Sequence, residues 1–342
     1  MENFDVKNQF RGFWISSSVS GIFLSNISLH DLSNLGVYSG SGIQISNITI
    51  RDVSCYRNVY GGIVLPSTKN LIIDNITAVL NNGGGISLTG ADNFTLIDIS
   101  SYGNSISTKN RPGLLLMDST FGTIQGLTAS GNSGGGLNLN NSSKIFISSS
   151  ILKDQSGGVD FFIDSQSHDI ALNNLRIGDL NGANLSASNI SGSFSFNTSA
   201  THPDATGSFV SLNNYVNITH GSSGIFDLLS LNYSPSDIPF GYPENNIRIL
   251  ATNGTVWYPV SSTLHTDQHS VSFDDSDELW EGTWLYGLFT NKTIPSVLSV
   301  SPSSGSREST NIEISITGSG FSEGSLGGCP MKRCRLDRLS IK

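Results

Sequence analysis

The sequence predicts an all-β fold: a single-stranded solenoid of about seven to eight stacked coils over residues 1–200, followed by small antiparallel β-sandwich modules. Three observations predict it. Only 13% of the 342 residues are charged, while 58 Ser, 32 Asn and 37 Gly fill more than a third of the chain; all three types disfavour helix interiors. Aliphatic residues recur regularly between the polar ones, as a buried face requires and a disordered segment lacks. An eight-residue pattern returns about every 23 residues, and a unit that short buries its apolar face only by stacking on its neighbours.

The amino terminus, MENFDVKNQFRGFW, lacks a charged segment followed by an apolar one, so the chain carries no signal peptide. No stretch approaches the ~18 apolar residues that span a bilayer. The first coil, around Gly12-Phe-Trp-Ile15, starts almost at Met1 without the polar cap a solenoid needs. That predicts a true amino terminus, with its signal peptide, upstream.

Four copies of the octet begin at Asn26, Asn47, Asn70 and Asn93, reading Asn, apolar, any, apolar, any, Asp/Asn, apolar, Ser/Thr. Weaker copies begin at Phe121, Lys144 and Asp169, so the successive spacings are 21, 23, 23, 28, 23 and 25. Gly-led strands precede the octets: Gly62-Ile-Val-Leu65, Gly85-Ile-Ser-Leu88, Gly113-Leu-Leu-Leu116 and Gly136-Leu-Asn-Leu139. Each repeat is therefore three short period-2 strands separated by polar turns, too short for a helical crossover. The alternation points Ile48, Ile50, Leu71, Ile73, Phe94, Leu96, Ile145 and Ile147 inward. Cys55 aligns with Ala78, Ser101 and Ala129, a small inward position, and reads as a buried free thiol.

Asn58, Asn81, Asn104 and Asn132 each follow the octet at a fixed offset. They form a structural ladder at a turn, where Asn tolerates the left-handed conformation and stacked amides bond from coil to coil. Ion binding along an edge by Asp31, Asp52 and Asp98 is the functional alternative, and Asn75, Gly126 and Ser149 interrupt that row.

With these repeats the chain resembles the right-handed parallel β-helix repeat proteins, the superfamily of pectate-lyase-like enzymes and carbohydrate-binding and sugar-hydrolase repeat domains. The resemblance covers about residues 10–200. It implies a polysaccharide or surface glycan as partner, and an enzyme of this kind would be a polysaccharide lyase, with Asp-rich Ca2+ sites and an Arg base, or a glycosidase with an Asp cluster.

From about Thr201 the period is lost, and short strands with an Asn253-Gly254 hairpin signal predict a β-sandwich module over 201–293. Pro295-Ser-Val-Leu-Ser-Val-Ser-Pro302 and Ile312-Glu-Ile-Ser-Ile-Thr317 resemble the opening strands of an immunoglobulin-like IPT/TIG domain, incomplete over 294–326. The tail, 327–342, reads as non-native or disordered. It holds five Lys+Arg against one acid, so the net charge of −9 hides a balance of −13 over residues 1–328. Such an acidic surface excludes a nucleic-acid partner. Cys329 and Cys334 are separated by four residues in that tail, with no His or second Cys pair to complete a metal site, so no metal is expected.

Thirteen Asn-x-Ser/Thr sequons permit glycosylation without establishing it. With the module order and the shortage of Cys they favour an extracellular or cell-surface location in a prokaryote. The best catalytic constellation is Asp118, Asp160 and Asp164, with Lys109 and Arg111 on the loop behind the 28-residue spacing. Trp14 and Tyr60 are the candidates for stacking on sugar rings. The expected function is a structural or adhesive surface element that contacts glycans, without cofactor; the alternative is a polysaccharide lyase or glycoside hydrolase, under which alone Ca2+ enters.

Overall fold

The computed structural model describes residues 2–105, 111–156, 159–179, 182–199, 209–274, 282–291, 296–301, 314–319 and 339–340. The first strands in chain order are β1 (Glu2–Lys7), β2 (Phe13–Ile15), β3 (Val19–His30), β4 (Leu35–Ser39), β5 (Ile45–Tyr56), β6 (Gly61–Pro66), β7 (Thr68–Val79) and β8 (Gly84–Thr89). They continue as β9 (Asp92–Tyr102), β10 (Leu114–Met117), β11 (Thr120–Gln125), β12 (Thr128–Ser130), β13 (Leu137–Asn140), β14 (Ser143–Lys153), β15 (Phe161–Ile163) and β16 (His168–Ile177). One sheet runs β1-β3-β5-β7-β9-β11-β14-β16 and the other β2-β4-β6-β8-β10-β13-β15, every pair parallel. The chain thus winds through about seven coils, a parallel β-solenoid as the repeat predicts.

Ile48, Ile50, Leu71, Ile73, Phe94, Leu96, Ile145 and Ile147 are all buried in one continuous core. Cys55, Ala78, Ser101 and Ala129 stand in register as the expected small column, each fully buried. The long strands can bend without breaking because their corners adopt the left-handed conformation: Asn47, Asn70 and Asn93 at one corner have φ of 52–57°, and Asp52, Asn75 and Asp98 at the next have 50–53°. Asn and Asp accept this region at low cost, which is why the octet carries them at its first and sixth positions.

The register corrects two readings. Ile22 pairs with Ile48 and Leu24 with Ile50, so Gly21 (φ 79°) is the first-coil partner of Asn47, while Asn26 aligns with Asp52. The octet at Asn26 is a slip by one corner, because two successive corners share the same Asn/Asp pattern. Asp31 accordingly leaves the row with Asp52 and Asp98 and aligns with Arg57 at the following corner. The ladder residues Asn58, Asn81, Asn104 and Asn132 are not themselves left-handed; the turn is made one residue earlier, at Arg57, Leu80, Gly103 and Gly131. That frees each amide to point inward.

After Ile177 the chain reverses at Gly178 (φ 94°) and the pairing becomes antiparallel. β17 (Ala183–Ile190), β18 (Phe194–Asn197), β19 (Phe209–His220), β20 (Leu228–Asn232), β21 (Arg248–Thr252), β22 (Trp257–Pro259), β23 (Thr263–His265), β24 (Ser270–Phe273) and β25 (Gly282–Asn291) follow. They add to the same two sheets, β17-β20-β24-β23 on the first and β18-β19-β25-β21-β22 on the second. The boundary expected at residue 200 is therefore not a sheet boundary: parallel stacking ends at Ile177, and the antiparallel strands close the stack rather than forming a separate module over 201–293.

Further on, β26 (Ser296–Ser301) and β27 (Ile314–Ser319) pair antiparallel, and β28 (Leu339–Ser340) joins β27 in parallel. Most of the segments read as an incomplete IPT/TIG domain over 294–326 and as a tail over 327–342 lies outside the described residues.

Candidate functional site

The outward middle positions of the short strands form one row in register: Trp14, Tyr38, Val64, Ser87, Leu115, Asn138 and Phe162. Asp160, a member of the expected acid constellation, does not belong to this row. Leu137 pairs with Phe161, so Asp160 falls in the column of Gly62, Gly85, Gly113 and Gly136. There it is 4% exposed, and its Oδ2 accepts from the Thr198 amide and hydroxyl, both at 2.6 Å. Burial pushes its carboxyl upward, against the lowering effect of the Thr198 bonds.

Over four consecutive coils this row floors a groove of about 680 Å3. Tyr38, Val64, Ser87 and Leu115 make the floor. Phe10, Arg11, Ser33, Asn34, Leu35, Tyr60, Gly83, Gly84, Arg111 and Pro112, all on the turns that lead into the short strands or at the strand starts, line it alongside that floor, with Arg11 in the first of their coils and Arg111 in the last. One glycine is required here: a Cβ on Gly83 would collide with the Tyr60 carbonyl, while one on Gly84 would be tight, 3.0 Å from the Pro112 carbonyl oxygen. Neighbouring coils can thus close up behind the ring of Tyr60, which stays 52% exposed.

Trp14 sits at the head of the row, 54% exposed, with the Arg11 guanidinium 4.3 Å from its ring centroid and 5.0 Å from that of Phe10. This double stack holds the cation over the groove end. At the far end the Arg111 amide donates to Ser105 Oγ at 3.0 Å and its carbonyl accepts from the Gly134 amide at 3.1 Å. Among the described residues that line the groove there is no Asp and no Glu.

The expected acid constellation is dispersed. Asp118 accepts from Asn141 Nδ2 at 2.6 Å, while the Asn141 amide donates to Asp164 at 3.0 Å, so Asp118 and Asp164 belong to one corner two coils apart, about 10 Å along the axis. Asp164 also accepts from the Ser167 amide and hydroxyl and from the Gln166 amide, and holds a turn. Asp160 lies at the other end of β15 with its side chain in the interior. Of the proposed cationic pair, Arg111 lines the groove and Lys109 lies outside the described residues. Of the two stacking candidates, Tyr60 lines the groove and Trp14 supports it through Arg11. Phe10, Arg11 and Tyr38 are groove residues that the sequence reading missed. The Gly36-Val-Tyr-Ser39 strand, spaced like the later Gly-led strands, carries the signal that would have found Tyr38.

Outside the groove, the described imidazole and thiol groups lie at separate places. His30 bonds Asp31 at 2.7 Å and Asp5 at 3.0 Å and stacks on Tyr56; Arg57, and then His30, hold the Asp31 carboxyl far below the usual range. His168 bonds Asp169, His265 bonds Ser272 and His269 bonds Glu244. Cys55 is fully buried, and desolvation pushes its thiol up to about 12. Among the described residues no group of three or more His, Cys, Asp or Glu is placed to hold a metal ion, and no helix is long and apolar enough to cross a membrane.

A search of curated proteins gives no match. Among solved structures, the full-length tailspike protein 2 from Escherichia coli O157:H7 bacteriophage CAB120 is 18% identical over 50% of this chain and 25% of its own, with a TM-score of 0.40. The enzymatically active domain of bacteriophage CBA120 tailspike protein 2 is 12% identical over 82% and 62%, with a TM-score of 0.40. Dettilon tailspike protein is 11% identical over 79% and 56%, with a TM-score of 0.26. The chain spans from a quarter to about three fifths of the length of these structures. A family model described as periplasmic copper-binding protein (NosD) matches residues 4–215, the whole of the stacked coils and the groove they carry. That match takes in more than half of the chain, and the chain therefore belongs to the NosD family.

Proposed function

We propose that the protein is a glycan-binding β-solenoid that works outside the cytoplasm as a structural or adhesive element, with the groove over Tyr38, Val64, Ser87 and Leu115 as its binding face. The single observation that carries this reading is the pairing of exposed aromatic rings with the absence of any carboxylate in the lining. Aromatic faces and scattered hydroxyl and amide groups are what sugar rings bind. Glycoside hydrolysis needs two carboxyl groups flanking the bond, and the described residues of this groove supply none. The family description, which says periplasmic, supports the location.

The same description names copper, and the described residues do not fit it. Copper sites take thiolate, thioether and imidazole donors converging on one point. Here Cys55 is sealed in the core, Met117 stands alone on β10, and the described histidines other than His220 bond carboxylates or a hydroxyl at separate places; His220 bonds the Gly224 carbonyl. Cys329, Met331 and Cys334 lie outside the described residues. No step of the proposed function uses a metal.

The test is a polysaccharide panel read twice, for retention of the protein and for new reducing ends or unsaturated products, with and without Ca2+. The expected result is retention on at least one glycan, lost in Tyr60→Ala, and no product on any. Turnover that Asp160→Ala or Asp118→Ala abolishes would sink the binding reading in favour of an enzyme.

A further inference from the structure

The charge of the groove is opposite to that of the molecule around it. The chain carries −9 overall, yet the groove lining holds Arg11 and Arg111 and no acid. Most other cations of the coils have an anionic neighbour: Arg51 bonds Asp74 at 2.8 Å, Arg57 bonds Asp31 at 2.7 Å, Lys69 lies 3.3 Å from Asp92 and Lys153 3.1 Å from Asp179. Arg11 and Arg111 have no carboxylate neighbour among the described residues. Arg11 Nε is buried without a hydrogen-bond partner, although its guanidinium is fixed by stacking on Trp14 and Phe10. The stacking thus fixes a guanidinium charge in the groove lining with no anionic partner, and a ligand carboxylate or sulfate would supply one.

We infer that the groove takes an acidic oligosaccharide lying along the solenoid axis, with its carboxylate or sulfate groups held by Arg11 at one end and Arg111 at the other. This rests on the glycan-binding reading and narrows it to one ligand class. The axial direction follows from the register. Arg11 precedes Gly12 at the head of the glycine column and Arg111 lies just before Gly113, four coils on, so their backbones are about 19 Å apart at ~4.8 Å per strand. That is too far for both to grip one small anion, and Tyr38 and Tyr60 lie between them to stack on the intervening sugar rings. Guanidinium groups suit carboxylate and sulfate because the planar fork donates two parallel hydrogen bonds.

The experiment is calorimetric titration of the full chain with oligogalacturonates of increasing length, their carboxyl-reduced neutral counterparts, sulfated oligosaccharides of the same lengths, inorganic sulfate alone, and a single-stranded oligonucleotide. The expected result is affinity that rises with length and is about tenfold or more higher for an acidic oligomer than for its neutral counterpart, as charge-assisted hydrogen bonds allow. Arg11→Gln and Arg111→Gln should each remove about that factor without lowering the melting temperature, and rising salt should erode it. Which of the carboxylated and sulfated series binds tighter identifies the anion, and either supports the inference. Equal affinity for acidic and neutral oligomers overturns the inference and leaves glycan binding standing; no affinity for any saccharide overturns both. Binding of inorganic sulfate as tight as that of the oligomers, or tighter binding of the oligonucleotide, also overturns it.

Discussion

Asp160 shows how one residue can close a repeat. It occupies a column that is otherwise glycine, at the last parallel coil, and its carboxylate accepts both polar hydrogens of Thr198 where the antiparallel strands arrive. Asp160→Ala removes both bonds and leaves the Thr198 amide unsatisfied, so urea denaturation should show a loss of about 2–3 kcal/mol. Because burial raises the folded-state pKa of this group, the folded chain binds its proton more tightly than the unfolded chain. Stability from Asp160 is thus greatest below the unfolded value near 4 and falls as pH rises towards the folded value. Asp160→Asn, which keeps an acceptor, should accordingly gain stability relative to the parent when melting at pH 7 is compared with melting at pH 3.5; an unchanged difference would refute the assignment. Cys55 makes a second case. With its thiol pushed up to about 12 in the core, it should resist thiol reagents in the folded state of a chain whose Cys329 and Cys334 are replaced by Ser, and react only on denaturation.

Among the elements, the inner amide ladder is the most specific. Asn58, Asn81, Asn104 and Asn132 are fully or almost fully buried. From Asn81 on, each rung's Oδ1 accepts from the amide N–H and Nδ2 of the rung before, while Asn58 Oδ1 accepts from the Leu32 amide; each Nδ2 also donates to a backbone carbonyl of the preceding coil, as Asn81 does to Cys55 at 2.9 Å. Gln155 continues the ladder at its end by accepting from the Asn132 amide. Asn81→Ala leaves buried groups on both neighbouring coils unpaired, so it should cost about 3 kcal/mol or more in denaturant titrations, and Gln155→Ala, at the half-exposed end, about 1 kcal/mol. A second element-scale device is steric. In the inward column of Ile48, Leu71, Phe94 and Ile145, Gly122 leaves a gap that the Phe94 ring fills, and a Cβ on Gly122 would fall inside that ring. Gly122→Ala should destabilise strongly alone and much less in combination with Phe94→Leu, with a coupling of about 1–3 kcal/mol in the double-mutant cycle. Additive effects would show that the two residues do not share the space.

At the scale of the whole molecule, the repeat was legible because each coil must satisfy the same corners: the Asn and Asp of the octet, the inward aliphatics and the amide column all fall where the sequence period puts them. What the period could not show was phase. Two successive corners carry the same residue types, so the copy at Asn26 reads as an octet although the strand pairing starts that coil at Gly21. Asp160 is misplaced by a different slip, of two residues: Gly158-Val-Asp160 is spaced like the Gly-led strands, but Phe162 pairs with Asn138, so Asp160 falls before the strand, in the column of Gly136. The end of the solenoid was hidden because antiparallel strands can extend the sheets of a parallel stack without any change in composition. The groove was half legible: Tyr60 and Arg111 could be singled out by type, but only the stacking of coils brings Phe10, Arg11 and Tyr38 beside them.

The central claim is that this groove, rather than any acidic cluster, is where the protein meets its ligand. The most direct measurement is calorimetric titration of the parent and of a Tyr38→Ala/Tyr60→Ala chain with the glycan the panel retains best. Stacking on two rings predicts that the variant loses about tenfold or more in affinity while melting within a few degrees of the parent. Undiminished affinity in a folded variant would contradict the account.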